Sequence, residues 1–371
     1  MRFLLVSTDY PAFLSSLYSQ HPGLAHESYE KQRQVRNESL FGLADFYSRN
    51  LRRLGHEAWD IDVNNEFMQK AWAREHGLRL DSDARWRFRL RRGVVPWIDR
   101  VEDPKTYEIL AAQIKHYKPD VLLNHSISLN GEFFREMRPY VRLMIGSHAS
   151  PLDTEPDLSM YDLMLSVVDN FVDYFRRRGV KSELLRFGFE PSILDRFRQP
   201  ERSIPVSFVG NLFSCHTARI QWLERLCERF PIQVWTGYTD GLSKTSPIMS
   251  HRHGVAWGAD MFNVLFKSRI TLNCHVDVAE AYAGNVRLFE AAGTGALLIT
   301  DWKKNLHEMF EPGKETVAYR TADECLEIIE HYLEHDDERE AIARAGQQRT
   351  LRDHTYYDRM QELVGIVRKC L

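Results

Sequence analysis

The stretch Asn285-Val-Arg287-Leu-Phe-Glu290-Ala-Ala-Gly293-Thr-Gly295-Ala-Leu-Leu-Ile-Thr-Asp301 decides the reading of this chain. Arg287 and Glu290 are three residues apart, so in a helix they share a face. Val286, Phe289 and Gly293 line the opposite face, which suits packing on a sheet. Gly293 and Gly295 are expected to end that helix, where a positive φ is wanted. Residues 296–299 then read as a strand covered on both sides, and 270–276 read as another. The helix is therefore expected to open near the carboxyl edge of a parallel sheet, where open α/β folds bind ligands. A helix start there offers N–H groups and a positive dipole to a phosphate. Arg287 adds a planar cation, and Glu290 can accept two hydrogen bonds from a diol. Together these features imply a nucleotide diphosphate site. The same spacing also suits an exposed salt bridge on an ordinary amphipathic helix.

Composition narrows the class. At 371 residues the chain exceeds one ordinary core, which predicts two domains. A 43% hydrophobic and 27% charged composition is that of a soluble globular protein. With 49 basic against 52 acidic residues, no global attraction to nucleic acid is expected. No apolar run is long enough to span a membrane, and the start, Met1-Arg-Phe-Leu-Leu-Val-Ser-Thr-Asp9, reaches an acid too soon for a signal peptide. The five cysteines share no C-x-x-C spacing, which points to reduced thiols and a cytoplasmic setting.

Residues 2–8 read as the first strand of a parallel sheet. The chain then runs Thr8-Asp-Tyr-Pro-Ala-Phe13 instead of a G-x-G-x-x-G turn, which argues against a dinucleotide-binding dehydrogenase. Further strands are expected at 57–63, 121–124, 141–145, 163–167 and 182–187. Helices are expected over 38–54, 105–117, 131–138 and 170–178, and 64–104 reads as an insertion. A proline-marked segment, 191–205, separates this half from a second of similar rhythm, with strands at 206–209 and 232–236 and helices over 217–229, 322–334, 337–351 and 356–369. Thr321-Ala-Asp-Glu324 is a capping box. Alternating strands and helices predict parallel sheets covered on both faces.

The opening stretch resembles the donor-site helix of retaining GT-B glycosyltransferases, especially the CgeB-like (spore protein) branch. There a strand, a loop, an Arg-x-Phe-Glu-Ala helix, a small-residue glycine turn and a strand ending in Thr-Asp follow in this order. The likeness continues through Leu306-His-Glu-Met-Phe-Glu-Pro-Gly313 and 321–333 to His354-Thr-Tyr356 and Arg359. It covers the last third of the chain well and the rest by element order only, so it specifies a superfamily and not a substrate. It implies an α/β GT-B fold, two Rossmann-like parallel-sheet domains facing each other across a cleft. Residues 1–195 would form the acceptor side and 196–355 the donor side, with 356–371 returning onto the first domain. The implied activity moves a sugar from a UDP- or GDP-linked donor to a glycan, lipid-linked or small-molecule acceptor. Retention of configuration is implied, with no metal and no cofactor besides the donor substrate. Two other readings stay open: an inactive GT-B nucleotide-binding protein in a surface or coat assembly, and a sugar-nucleotide epimerase.

The resemblance also places residues. Gly210-Asn211 and Arg219 fall where such donors meet a glycine turn and a diphosphate clamp, although an Arg is common at the position of Asn211. Residues 253–258, ending in Gly258, would meet the base, and Gly284 and Asn285 the sugar. Arg287 would serve the diphosphate and Glu290 the ribose. The family often carries another glutamate separated from this one by seven residues, whereas this chain has Tyr282 at that position. His125 and His148 each follow a buried strand and are the catalytic candidates, a capped loop histidine being the alternative for either. Asp9, ending the first strand, could meet the acceptor.

Two D-x-D pairs, Asp60/Asp62 and Asp81/Asp83, match the metal motif of a different glycosyltransferase fold, but the halves here are ordered wrongly for it and no metal is expected. His251, His253 and the Cys215-His216 and Cys274-His275 pairs lack zinc-site spacing and read as incidental. Arg85-Trp-Arg-Phe-Arg-Leu-Arg-Arg92 reads as a strand or hairpin whose basic face could touch an anionic acceptor or, peripherally, a lipid surface at the inner face of the membrane.

Overall fold

Runs such as Phe3-Leu-Leu-Val6 and Leu297-Leu-Ile299 are buried along their whole length, so both faces of each strand are covered, as a parallel sheet flanked by helices requires. The computed structural model describes residues 1–80, 86–91, 95–100, 104–150, 156–197 and 201–371. The strands are β1 (Arg2–Ser7), β2 (Glu57–Asp62), β3 (Trp86–Arg91), β4 (Val95–Arg100), β5 (Val121–Asn124), β6 (Leu143–Ser147), β7 (Leu163–Ser166) and β8 (Ser182–Leu184). They continue with β9 (Ile204–Val209), β10 (Gln233–Trp235), β11 (Ser268–Asn273), β12 (Leu297–Asp301) and β13 (Val317–Tyr319).

Among the described residues these form a six-stranded sheet, β2-β1-β5-β6-β7-β8, a five-stranded sheet, β10-β9-β11-β12-β13, and the hairpin β3-β4. The five-stranded sheet is parallel throughout, and β1 pairs in parallel with both β2 and β5. By their internal contacts, Met1–Ser147 form the bulk of one compact unit and Met164–Lys369 that of the other. The two parallel-sheet α/β domains expected from the sequence are present. The second owes its core to Phe208, Leu223, Leu272 and Ile299 from strands and helices alike.

Several local expectations change. The helix expected over 38–54 is confined to Phe46–Arg53, because Leu40, Gly42 and Ala44 before it take left-handed φ, and a separate helix, Tyr29–Glu38, precedes it. The segment from 64 is not wholly an insertion. Asn65 caps the helix Glu66–Glu75, and Met68, Ala71 and Trp72 on it pack into a core with Tyr29 and Ile109. Basic residues 86–91 form one strand of the β3-β4 hairpin, while Arg85, Arg92, Asp81 and Asp83 lie outside the described residues.

Gly293 ends its helix, but without the positive φ expected of it. It is the last residue of Arg287–Gly293, and a Cβ there would lie 2.5 Å from the Phe189 ring, so close packing is what requires glycine. The left-handed turn belongs to Gly295, at φ +75°. The capping box is offset by one residue. Thr321 accepts the Glu324 amide at 3.1 Å, but Glu324 reaches back to the amide of Arg320.

Candidate functional site

In the second sheet the polar residues gather at the carboxyl ends of the strands, where the parallel ladder stops and side chains must satisfy the exposed backbone. β11 ends in Asn273 and continues into Cys274-His275, and β12 ends in Thr300-Asp301. Parallel register places Asn273 opposite Thr300, and Asn273 Nδ2 donates to Thr300 Oγ1 at 2.9 Å. Asn285 Nδ2 donates to Asn273 Oδ1 at 2.6 Å, tying the start of the helix Arg287–Gly293 to the end of β11.

Arg287 and Glu290 do share a face, with Nη1 and Oε2 2.7 Å apart, and both are largely buried. The pair is not closed. Arg287 Nε and Glu290 Oε2 are buried without an aligned hydrogen bond, and Arg287 Nη1 otherwise meets the Met261 sulfur. Burial raises the Glu290 carboxyl above its ordinary range while the Arg287 charge opposes that. An exposed salt bridge is thereby excluded, leaving a buried charge pair with hydrogen-bonding capacity unspent.

Gly210, Asn211 and Arg219 come together. The Arg219 guanidinium donates to the carbonyls of Asn211, at 3.2 Å, and Cys274, at 2.5 Å, clipping the segment after β9 to that after β11. Its Nε has no partner in its buried setting. The Gly210 amide donates to the Trp235 carbonyl at 3.1 Å. Gly258, at φ +51°, precedes the helix Ala259–Lys267, and nearby His253 stacks on Trp235 at 4.8 Å.

The catalytic candidates sit in different settings. Asp9 is buried and held by Arg36, which donates to both its oxygens at 2.7 and 3.1 Å and also faces Asp62 at 3.3 Å. His125 is half-buried, its ring edge-on to Tyr47 and its enclosed Nε2 unpartnered, and desolvation lowers it to about 4. His148 donates from Nε2 to the Ser150 carbonyl at 2.7 Å, and partial burial lowers its pKa against that bond. Asp60 is bonded by Ser48, and burial raises both Asp60 and Asp62. Among the described residues no group of three His, Cys, Asp or Glu is placed to hold a metal ion.

Sequence reasoning passed over Arg36, and it set Cys274-His275 aside as incidental. His275 is in fact buried, with Nδ1 2.6 Å from Asp301 Oδ1. The available signal was a histidine just after one buried strand and an aspartate at the end of the next.

Comparison with known proteins agrees with this picture. A family described as glycosyl transferase-like matches residues 210–365. Sucrose-phosphate synthase from Thermosynechococcus elongatus aligns over 100% of this chain and 98% of its own, at 12% identity and a TM-score of 0.59. HepE of Anabaena, in complex with UDP and glucose, aligns over 99% of each chain at 12% identity and a TM-score of 0.61. The pneumococcal O-GlcNAc transferase GtfA, in complex with UDP and GlcNAc, covers 100% of this chain and 99% of its own at 10% identity and a TM-score of 0.54. No curated protein sequence matches. The fold is that of the GT-B glycosyltransferases. Among the described residues no helix is long and apolar enough to cross a membrane.

Proposed function

We propose that this protein is a glycosyltransferase that moves a sugar from a UDP- or GDP-linked donor to an acceptor, with retention of configuration and without a metal. The observation that carries the reading is the Arg287–Glu290 pair. It is a buried cation and carboxylate in contact at 2.7 Å, with Arg287 Nε unpartnered, in the stretch that resembles the donor helix of the CgeB-like branch. The match of residues 210–365 to a glycosyl transferase-like family supports placing the donor on 196–355 and the acceptor on 1–195. The UDP complexes of HepE and GtfA support a nucleotide-linked donor.

In this reading Glu290 accepts hydrogen bonds from the ribose diol, and Arg287 neutralises the diphosphate as it departs, the task a metal performs elsewhere. The leaving phosphate takes the acceptor proton, so no catalytic carboxylate is required. Tyr282, standing where a glutamate is common, is covered by Lys304 at 3.7 Å from its ring centre, which favours backbone and Asn285 contacts to the sugar. The test is to incubate the purified protein with UDP- and GDP-linked sugars and to follow release of free nucleoside diphosphate, with and without EDTA. Release from one donor that survives EDTA is the expected result. No release from any donor favours a nucleotide-binding protein without turnover, and activity restored only by manganese or magnesium reverses the metal assignment.

A further inference from the structure

The segment between β11 and the helix Arg287–Gly293 is fastened at one backbone group after another. Asn170 donates to the carbonyl of Val278 at 2.9 Å, Lys303 Nζ to that of Glu280 at 2.6 Å, and the Lys304 amide to that of Ala281 at 3.0 Å. Asn305 grips Ala283 on both sides, its Oδ1 accepting the amide at 2.7 Å and its Nδ2 donating to the carbonyl at 3.0 Å. The next amide, Gly284, donates to Nε2 of His275 at 3.3 Å. The path is tight there, because a Cβ on Gly284 would lie 2.5 Å from the Val167 carbonyl oxygen.

An imidazole nitrogen accepts only when it carries no proton, so this contact requires the proton on Nδ1. Asp301 sets that tautomer. Its Oδ1 lies 2.6 Å from His275 Nδ1 and accepts the His275 amide at 3.0 Å, and Lys303 braces its other oxygen at 3.3 Å. Burial works to raise the Asp301 carboxyl, but the bonds it accepts from the His275 ring and amide, together with the Lys303 charge, hold it below its ordinary range. The charged carboxylate is thus always present to orient the ring. Ala283 is already held by Asn305, so the His275 contact is not needed to close the fold. What it adds is the orientation of the one peptide after Ala283.

We propose that His275 is a positioning residue, its Nε2 lone pair fixing the Gly284 amide and thereby the presentation of Gly284 and Asn285 to the donor sugar. The role rests on the donor-site reading above, and it concerns the sugar rather than the nucleotide.

The experiment compares wild type with His275→Ala, His275→Gln and His275→Asn. Calorimetry measures affinity for the nucleotide-sugar selected by the donor screen and for its parent diphosphate, and amide exchange is followed over residues 276–286. Expected for His275→Ala is a loss of about tenfold in nucleotide-sugar affinity, the size of one hydrogen bond, with the diphosphate within about threefold and exchange about tenfold faster. Gln, whose oxygen reaches the place of Nε2, should recover most of this. Asn reaches Asp301 but not Gly284 and should not, a contrast that survives even if the Ala variant fails to fold. Unchanged affinity and exchange in His275→Ala overturn the role. So does an equal loss for sugar-nucleotide and diphosphate that Gln does not rescue. Wild-type protein that binds neither ligand instead overturns the donor reading itself, and this role with it.

Discussion

Each half of the molecule buries an arginine against carboxylates, and the two arrangements differ in what they leave over. In the first, Arg36 spends Nε and Nη2 on Asp9, with Nη2 also 3.3 Å from Asp62, and Nη1 on Asn37. Asp62 is further bonded by Ser7, and Asn64 holds the Asp9 backbone on both sides. In the second, Arg287 and Glu290 touch side by side on one helix through Nη1 and Oε2 alone, and Arg287 Nε stays unmatched. A closed buried network holds loops in place. An open one pairs its charges but leaves a desolvated donor unmatched, a cost that a ligand phosphate can offset. On the proposed reading the two sites serve different tasks, fastening and binding.

The largest effect should come from opening the closed network. Arg36→Met leaves Asp9 and Asp62 buried together without their cation, and removing one partner of a buried pair costs about 3–5 kcal/mol. Denaturant unfolding checks this, and a loss below about 1 kcal/mol would show that the first network is not a fastening. At the open pair the order of effects should invert. Arg287→Ala and Glu290→Ala should weaken nucleoside diphosphate binding by roughly ten- to hundredfold, about 1.5–3 kcal/mol, while the protein stays folded. Unchanged affinity in both variants would remove the donor assignment and with it the contrast.

The contrast also explains what was legible in the sequence. The strands were readable because buried parallel strands are continuous apolar runs, and β5 emerges with the expected bounds. β13 was not, since Val317-Ala-Tyr319 is too short to register as a run. The helix Tyr29–Glu38 was missed because part of its inward face is Gln32 and Arg36, residues that periodicity assigns to solvent. Arg287 and Glu290 could be found because both lie on one helix turn. Asp9 and Arg36 are twenty-seven residues apart, and His275 and Asp301 twenty-six, so only strand and helix register brings each pair together. Local spacing reveals local pairs, and polar networks at sheet edges are mostly non-local.

A smaller effect tests the charge balance of the closed network. Three aspartates, Asp9, Asp60 and Asp62, share the neighbourhood of Arg36, and burial pushes Asp60 up to about 6 against its bond from Ser48. A carboxyl raised in the folded state contributes stability that is fully present below its unfolded value, about 4, and is lost as pH rises through about 6. Asp60→Asn should therefore gain on wild type by about 1–3 kcal/mol between pH 4 and 7 in urea unfolding. A difference that stays flat over that range would mean that burial does not hold the Asp60 carboxyl above its ordinary range.

The smallest effect concerns the histidines, and it asks whether a partly committed side chain behaves like the open pair. His148 spends its Nε2–H on the Ser150 carbonyl, which leaves Nδ1 as an acceptor, and burial keeps the ring neutral. Such a nitrogen can accept from a sugar hydroxyl, a contact that strengthens as charge develops on the ring of the departing sugar. His148→Ala should then lower kcat by about tenfold, roughly 1.4 kcal/mol, with diphosphate affinity nearly unchanged, because the interaction is made in the transition state and not to the nucleotide. His125, neutral and half-buried with an enclosed, unpartnered Nε2, is the competing candidate. If His148→Ala keeps its kcat while His125→Ala loses it, the role passes to the more deeply buried ring. If both variants keep it, each is a capped loop histidine, and among these groups only the donor pair is left with a part in turnover.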